Sequence, residues 1–280
     1  MKRLFITSLV ALFTLGVSAQ DNMEAFSHLG VGVEAGLHGF GIDVAMPVYK
    51  GLVVKAGYNF VPSGDLFSTQ FSIDTKDLKD AQTQIEMIPG QHFDHKIGDE
   101  AVIDAGMQLG MSNIKLLLNW YPFESSSFYL AGGFYCSTGN KPFITIHGNT
   151  TENDWAALKE LNEKDITDHN HEIALEIANK SYPVIEKDGC GYMQGDLKMN
   201  PFKYYLGLGM GRCVPNKRVG LQFELGALYY GKAKLYLQDM EVPMADAAEK
   251  LGDTAKTAIG YMEKFPIYPQ LAIRLNFLAF

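Results

Sequence analysis

Beyond residue 20 the sequence has no apolar run of the roughly 20 residues that a membrane-spanning helix needs. Cysteine is scarce as well: Cys136, Cys190 and Cys213 are too few for a disulfide-stapled scaffold, and an odd count leaves at least one thiol free or in an intermolecular pair. Whether Cys136 and Cys190 form a disulfide stays open. Basic residues are outnumbered, 24 against 32 acidic ones, for a formal net charge of −8, which argues against nucleic acid as a partner.

The first residues have the pattern of a secretory signal peptide. A cationic start, Met1 to Arg3, precedes an apolar run over 4–16 and the small residues Val17, Ser18 and Ala19. A run of about 13 residues is too short for a retained anchor helix, and no cysteine follows for a lipid anchor. We predict a signal peptide over 1–19, cleaved near Ala19, and a single β-domain over 20–280.

Eight segments rich in Gly, aromatic and β-branched residues are predicted as strands. They cover 28–36, 41–49, 52–61, 111–123, 128–137, 202–213, 219–231 and 267–280. An even number of antiparallel strands is what a bacterial single-chain barrel requires. The predicted fold class is therefore all-β, a transmembrane antiparallel up-and-down β-barrel of about eight strands.

The connections between these strands alternate in length. Tight turns at 50–51, 124–127 and 214–218 alternate with long segments at 62–110, 138–200 and 232–266. The one exception is 37–40, which is short where the alternation calls for a long segment. Outer-membrane barrels have short periplasmic turns and longer extracellular loops. This pattern predicts periplasmic termini and three large, acidic outer loops.

Within the strands, apolar and polar residues alternate with period two, as lipid-facing and lumen-facing positions do. The predicted lipid-facing residues include Leu221, Phe223, Leu225, Leu271, Ile273 and Leu275. The predicted lumen network consists of Glu34, Asp43, Lys55, Lys115, Glu224 and Arg274. These charges balance, and an eight-stranded lumen is only wide enough for side chains to fill, so we predict a polar plug.

The long segments carry secondary structure of their own. Helix-like spacing predicts short helices over 74–86, 151–161, 172–180 and 245–262. Strand-like flanks at 101–110, 143–147 and 232–238 predict hairpins that rise above the membrane.

With this strand order, the chain resembles the small outer-membrane barrels: OmpA transmembrane domains, OmpX and OmpW, in the version common in Bacteroidetes. The resemblance is carried by the leader and four strand motifs, 30–36 with 41–44, 119–123, 205–218 and 271–280. It covers about half of the chain and none of the loops. It implies the fold, a Gram-negative outer-membrane location and recognition of the terminal Phe280 by the barrel-assembly machinery, but no activity.

Candidate chemistry is sparse. His92, His95, His169 and His171 are weak candidates for a surface metal site, and no cofactor is predicted. Enzymatic barrels place an acid, a His and often a Ser near the outer rim, where Glu34, His38 and Ser63 are expected here, but no motif of those proteases or lipid A-modifying enzymes is recognisable.

The predicted function is therefore a non-enzymatic structural or surface-interaction role, exercised through the outer loops. Two alternatives stay open: a small passive porin-like channel, if the flanks extend the barrel to ten or twelve strands, and a lipid-modifying or proteolytic barrel enzyme. The expected partners are outer-membrane lipid and lipopolysaccharide, the barrel-assembly machinery and an external ligand at the loops.

Overall fold

The structure is a computed structural model, and it describes residues 25–123, 125–139, 141–164, 173–177, 180–251 and 253–279. The predicted signal peptide with its cleavage site near Ala19, the candidate ligands His169 and His171, and the terminal Phe280 lie outside these residues. Within the described ranges, no helix has the length and apolar character to cross a membrane.

The strands, in chain order, are β1 Gly30–Gly36, β2 Gly39–Tyr49, β3 Leu52–Phe60, β4 Asp65–Asp74, β5 Glu100–Leu109, β6 Ser112–Trp120, β7 Phe128–Ser137, β8 Ile144–Thr150, β9 Ala174–Ile177, β10 Lys180–Pro183, β11 Ile185–Lys187, β12 Cys190–Lys198, β13 Phe202–Met210, β14 Val219–Tyr229, β15 Lys234–Leu237, β16 Met240–Val242 and β17 Ile267–Leu278. The helices are α1 Lys76–Glu86, α2 Glu152–Lys164, α3 Met244–Leu251 and α4 Asp253–Lys264.

Eight strands close into an antiparallel barrel in the order β1-β17-β14-β13-β7-β6-β3-β2. The first and last strands pair to complete it, which places Glu34 directly opposite Arg274. Each of the eight predicted strands is found, so the predicted barrel is confirmed. Its alternation is regular: along β17 the residues from Gln270 to Asn276 are buried at even positions and exposed at odd ones.

The barrel has two different rims. At one rim, the short-turn rim, β2 and β3 are joined by the two residues Lys50 and Gly51, and Gly51 takes a φ of +73° that suits glycine. The short connections from β6 to β7 and from β13 to β14 lie at the same rim. All the long segments leave from the opposite rim, which we call the outer rim.

A second sheet extends from the outer rim. Its order is β16-β15-β12-β8-β5-β4, and β11 pairs with β12. The strands β4, β5, β8, β12 and β15 each adjoin a barrel strand in the chain, and they lie in the same order as those barrel strands. This outer sheet therefore continues five neighbouring strands of the barrel wall, and the predicted strand-like flanks are confirmed as parts of it.

The helices lie in the outer region. The predicted helices over 74–86 and 151–161 correspond to α1 and α2, and the one over 245–262 is divided into α3 and α4. In α2, the Trp155 indole packs against Gly191 of β12, where a Cβ atom would come within 2.4 Å of the ring. The outer sheet thus carries a helix on the face to which Gly191 belongs.

The predicted helix over 172–180 is wrong. The described residues of this stretch form β9, which pairs with β10 in a two-stranded sheet. Ile177 and Tyr182 are buried there against Val242 and Ala247. Apolar residues at this short spacing fit a helix or a strand, and the packing against neighbouring elements decides between them.

Candidate functional site

The lumen of the barrel holds all six of the predicted charged residues. Glu34, Asp43, Lys55, Lys115, Glu224 and Arg274 are each at most 8% exposed. They come from β1, β2, β3, β6, β14 and β17, so six of the eight barrel strands contribute one inward charge each. Every second side chain of a strand points into the lumen, so residues that are distant in sequence lie together there.

Every base of this network faces an acid. The Lys55 Nζ lies 2.7 Å from the Glu224 Oε2, and the Lys115 Nζ lies 3.2 Å from the Asp43 Oδ2 while also contacting Glu34. Arg274 contacts Asp43 and donates a hydrogen bond to the Gln222 Oε1 at 2.9 Å. Charges buried away from water are stable only when they are paired. Every charge of this network has a partner of opposite sign, although both Asp43 carboxylate oxygens and the Arg274 Nε and Nη2 form no hydrogen bond among the described residues.

Three buried tyrosines that were not predicted from the sequence complete the network. The hydroxyls of Tyr129 and Tyr205 donate to the two oxygens of Glu224, at 2.7 and 2.8 Å, and Tyr135 packs edge-on against Tyr205. Their inward positions on β7 and β13 were the available signal. Gly226 makes room for them, because a Cβ atom there would lie 2.3 Å from the Tyr205 hydroxyl.

Near the outer rim, Glu34 also binds a histidine. The His38 Nε2 lies 2.9 Å from the Glu34 Oε1, which further accepts a hydrogen bond from Asn59. Ser63, the third residue of the enzymatic alternative, is exposed and makes no hydrogen bond to either residue in the described structure. The structure therefore brings together two of the three residues, and both already belong to the lumen network.

The short-turn rim is closed by the connection between β13 and β14. Strand β13 ends at Met210, earlier than predicted, because Gly211 takes a φ of +106° and turns the chain inward. Cys213 and Val214 are then 0% and 2% exposed, and the Cys213 N–H donates to the Tyr121 hydroxyl at 3.1 Å. All three cysteines are free, so no Cys136–Cys190 disulfide is present.

The histidine candidates do not form a metal site in the described ranges. The His95 Nδ1 lies 3.4 Å from the Glu160 Oε2, and the His92 carbonyl accepts a hydrogen bond from Lys164. Among the residues that the structure describes, no three His, Cys, Asp or Glu side chains cluster closely enough to hold a metal ion.

The outside of the barrel is apolar. Of the predicted lipid-facing residues, Leu221, Leu225, Leu271, Ile273 and Leu275 are 39–54% exposed, and Phe223 is half-buried. Residues of the other strands extend this apolar band around the barrel: Val31, Val33, Ile42, Val44, Ile114, Leu116, Leu118, Leu130, Leu206 and Leu208.

These features define the class of the molecule, a closed eight-stranded β-barrel with a filled polar lumen, an apolar exterior and an outer sheet. The chain is similar to the crystal structure of Acinetobacter baumannii CarO2, with 16% identity and a TM-score of 0.44 over 91% of this chain and 100% of that one. It is also similar to Acinetobacter baumannii CarO, with 17% identity and a TM-score of 0.43 over 92% and 99% of the two chains. No family model and no curated protein matches the sequence.

Proposed function

We propose that the protein is a non-enzymatic β-barrel of a Gram-negative outer membrane, whose filled barrel anchors the outer sheet at the cell surface. The observation that carries this proposal is the inverted distribution of side chains. The Lys115 side chain is 0% exposed inside the barrel, whereas Ile273 on its outside is 50% exposed. Soluble monomers rarely expose a contiguous apolar patch above a few hundred Å², and a closed barrel satisfies its backbone groups within hydrocarbon.

The two rims support an orientation. Short turns face the periplasm in outer-membrane barrels and long segments face outward, so we place the short-turn rim in the periplasm and the outer sheet outside the cell. In this orientation the apolar band contacts lipid and lipopolysaccharide. The outer sheet and its helices are then available to an external ligand. Export by the 1–19 leader and assembly through Phe280 belong to the same proposal, as do the OmpA, OmpX and OmpW resemblance and a Bacteroidetes origin.

A closed barrel suits an anchor better than a channel. The flanks that a ten- or twelve-stranded barrel would need belong to the separate outer sheet. The lumen is filled in its middle by the charged network and the tyrosines, and at the short-turn rim by Cys213 and Val214. An eight-stranded barrel is only just wide enough for side chains to fill, and large side chains occupy this one.

Three measurements on the full chain test the proposal. Cell fractionation should recover the protein with the outer membrane, and the purified barrel should migrate faster in unheated than in boiled samples on a denaturing gel. Recovery in the soluble periplasm would overturn the membrane assignment. In planar bilayers the inserted protein should give no steady channels, and steady conductance would favour the porin-like alternative instead.

A further inference from the structure

A cleft lies at the outer rim, where the barrel wall meets the outer sheet. It has a volume of about 700 Å³ and is bounded by the ends of β3 and β5, the start of β6 and the segment that leads into β8. Its lining includes Tyr58, Phe60, Gln108, Ser112, Lys141 and Thr145. Neither the lumen network nor the apolar band accounts for this outer-rim cleft.

One wall of the outer-rim cleft belongs to the lipid-facing surface. Tyr58 and Phe60 lie at the end of β3 with their side chains outward, 38% and 42% exposed. Their rings stack with centroids 6.2 Å apart and planes 21° from parallel. Aromatic side chains at the end of a barrel strand occupy the level of lipid headgroups, so the cleft opens where a headgroup would lie.

The rest of the lining offers hydroxyl groups and a cation. The Ser112 Oγ lines the cleft beside the Tyr58 hydroxyl, and it lies 2.6 Å from the Oγ1 of Thr138, a residue outside the lining. Lys141 is exposed at the same cleft. None of the described residues that line the cleft is acidic, although acidic residues outnumber basic ones in the chain by 32 to 24. The electrostatic character of the cleft therefore favours an anion.

A second lysine, inside the barrel, adds to the positive charge that favours an anion in the cleft. A smaller cavity shares Gly110, Met111 and Lys141 with the cleft, and Lys203 lines it from the lumen. Lys203 is 3% exposed and donates to neutral groups, the Asn113 Oδ1 at 3.0 Å and the Ser137 Oγ at 2.5 Å. Among the described residues, no carboxylate lies at ion-pair distance from it. A buried cation without a counter-charge is costly, and an anion in the adjoining cleft would offset that cost.

We propose that the outer-rim cleft binds the phosphate of a glycolipid headgroup from the outer leaflet, an inference that rests on the proposed membrane location. In this arrangement Lys141 contacts the phosphate, the Ser112 hydroxyl hydrogen-bonds to it, and the positive charge of Lys203 attracts it from behind. Tyr58 and Phe60 pack against the apolar part of the same lipid. Because one wall is lipid-facing, we assign the phosphate to a lipid and not to a free ion.

The test uses the full-length barrel in detergent and native mass spectrometry with three probes: bisphosphorylated lipid A, the same lipid dephosphorylated, and inorganic phosphate. Wild type should retain the bisphosphorylated lipid best. Lys141→Gln should lower its affinity at least about tenfold, as expected for one charge-assisted contact, and Lys141→Arg should keep most of it. The matched control is Lys217→Gln, which removes an exposed lysine at the short-turn rim.

Each other outcome contradicts the proposal in a distinct way. Equal binding of the dephosphorylated lipid, or equal losses in Lys141→Gln and Lys217→Gln, would show that this cleft does not recognise phosphate. Inorganic phosphate that competes at equal concentration would indicate a free-anion site instead of a lipid site. Faster migration of each unheated variant establishes that it is folded. A folded barrel that inserts into bilayers without selective binding would refute the cleft alone, whereas failure to insert would refute the proposed function.

Discussion

Glu224 lies at the centre of the lumen, where it accepts hydrogen bonds from Lys55, Tyr129 and Tyr205. Replacing Lys55 with Met leaves this carboxylate with neutral donors only. Because breaking one side of a buried ion pair typically costs about 3–5 kcal/mol, we expect Lys55→Met to lower the free energy of unfolding by about that amount. Urea unfolding in lipid bilayers, followed by gel mobility, measures it.

Two further variants show whether the pairing is the cause. The double variant Lys55→Met with Glu224→Leu should recover much of the loss, since no unpaired charge remains. Arg274→Met should cost less than Lys55→Met, because Asp43 keeps the Lys115 Nζ at 3.2 Å. If the single and double variants were equally unstable, packing and not charge would account for the effect.

Glu160 lies in the outer region, and the stability that its carboxylate contributes depends on pH. Its carboxylate accepts hydrogen bonds from the Lys164 ammonium and from the backbone N–H groups of Asp94 and His95. Partial burial raises the pKa of Glu160, but these hydrogen bonds outweigh that effect and lower the pKa from 4.5 to about 2. The folded pKa lies below the unfolded one, so the stabilisation is present above pH 4.5 and is lost as the pH falls toward 2.

We therefore expect the amide NMR signals of Asp94 and His95 to titrate with a midpoint near the Glu160 pKa of about 2. Glu160→Gln should abolish this titration and speed proteolysis around His95. Glu163→Gln, at an exposed position of the same helix, is the control and should change neither. A midpoint at an ordinary Glu pKa would mean that the hydrogen bonds to Glu160 are not formed in solution.

Strand β17 tests the lipid-facing assignment, because its outward residues occupy different depths. Ile273 lies within the strand and Ile267 at its outer end, and the two are 50% and 49% exposed. An Arg on the lipid face costs about 2–4 kcal/mol at the bilayer midplane and about 0–1 kcal/mol near the interface. Ile273→Arg should therefore destabilise the folded barrel far more than Ile267→Arg in bilayer unfolding. Equal effects at the two positions would contradict a membrane around this strand.

The inward turn between β13 and β14 buries Cys213, so the native cysteines are expected to differ in their reactivity toward a thiol reagent. Cys213 is 0% exposed in the lumen, whereas Cys136 is exposed on the outward face of β7. A maleimide should label Cys136 of the folded barrel in detergent and reach Cys213 only after unfolding. Peptide mapping of the labelled protein distinguishes them. Rapid labelling of Cys213 in a barrel that still migrates as folded would show that the short-turn rim is open.

The sequence was most informative where structure follows from local alternation. The barrel strands and their six inward charges are predictable because a strand sends successive side chains to opposite faces. Their partners are not: Glu224 pairs with Lys55 and not with Arg274, since the stagger of eight strands sets which inward residues share a level. Strand β13 ends early because the chain turns into the lumen, and the space for this turn is formed by several strands together.

The outer sheet shows the same limit at longer range. Its strands come from the separate segments 62–110, 138–200 and 232–266. The flanks that became β5, β8 and β15 were predicted one at a time, whereas β4, β11, β12 and β16 were not. Their pairing order follows from the barrel strands that they continue, which becomes visible only once the barrel is closed. For 172–180 the deciding contact, with Val242 and Ala247, comes from another segment altogether.

At the scale of the whole molecule, the proposed orientation places the two rims of the barrel on opposite sides of the membrane. The short-turn rim carries a compact connection in which Lys217 is exposed. The opposite side carries the turn at Gly90, which takes a φ of +90° and has no atom within 4 Å of a built Cβ. Exposed turns of this kind tolerate insertions, so a short epitope can be placed at either site without entering the barrel or the outer sheet.

We expect an antibody to detect the epitope at Gly90 on intact cells, because the outer sheet faces the exterior in the proposed orientation. The epitope beside Lys217 should become detectable only after the outer membrane is permeabilised. Heat-dependent gel mobility of both tagged proteins confirms that each barrel is folded. The reverse accessibility would invert the orientation and place the outer-rim cleft in the periplasm. Detection of both epitopes on intact cells would be incompatible with a barrel that separates its two rims by a bilayer.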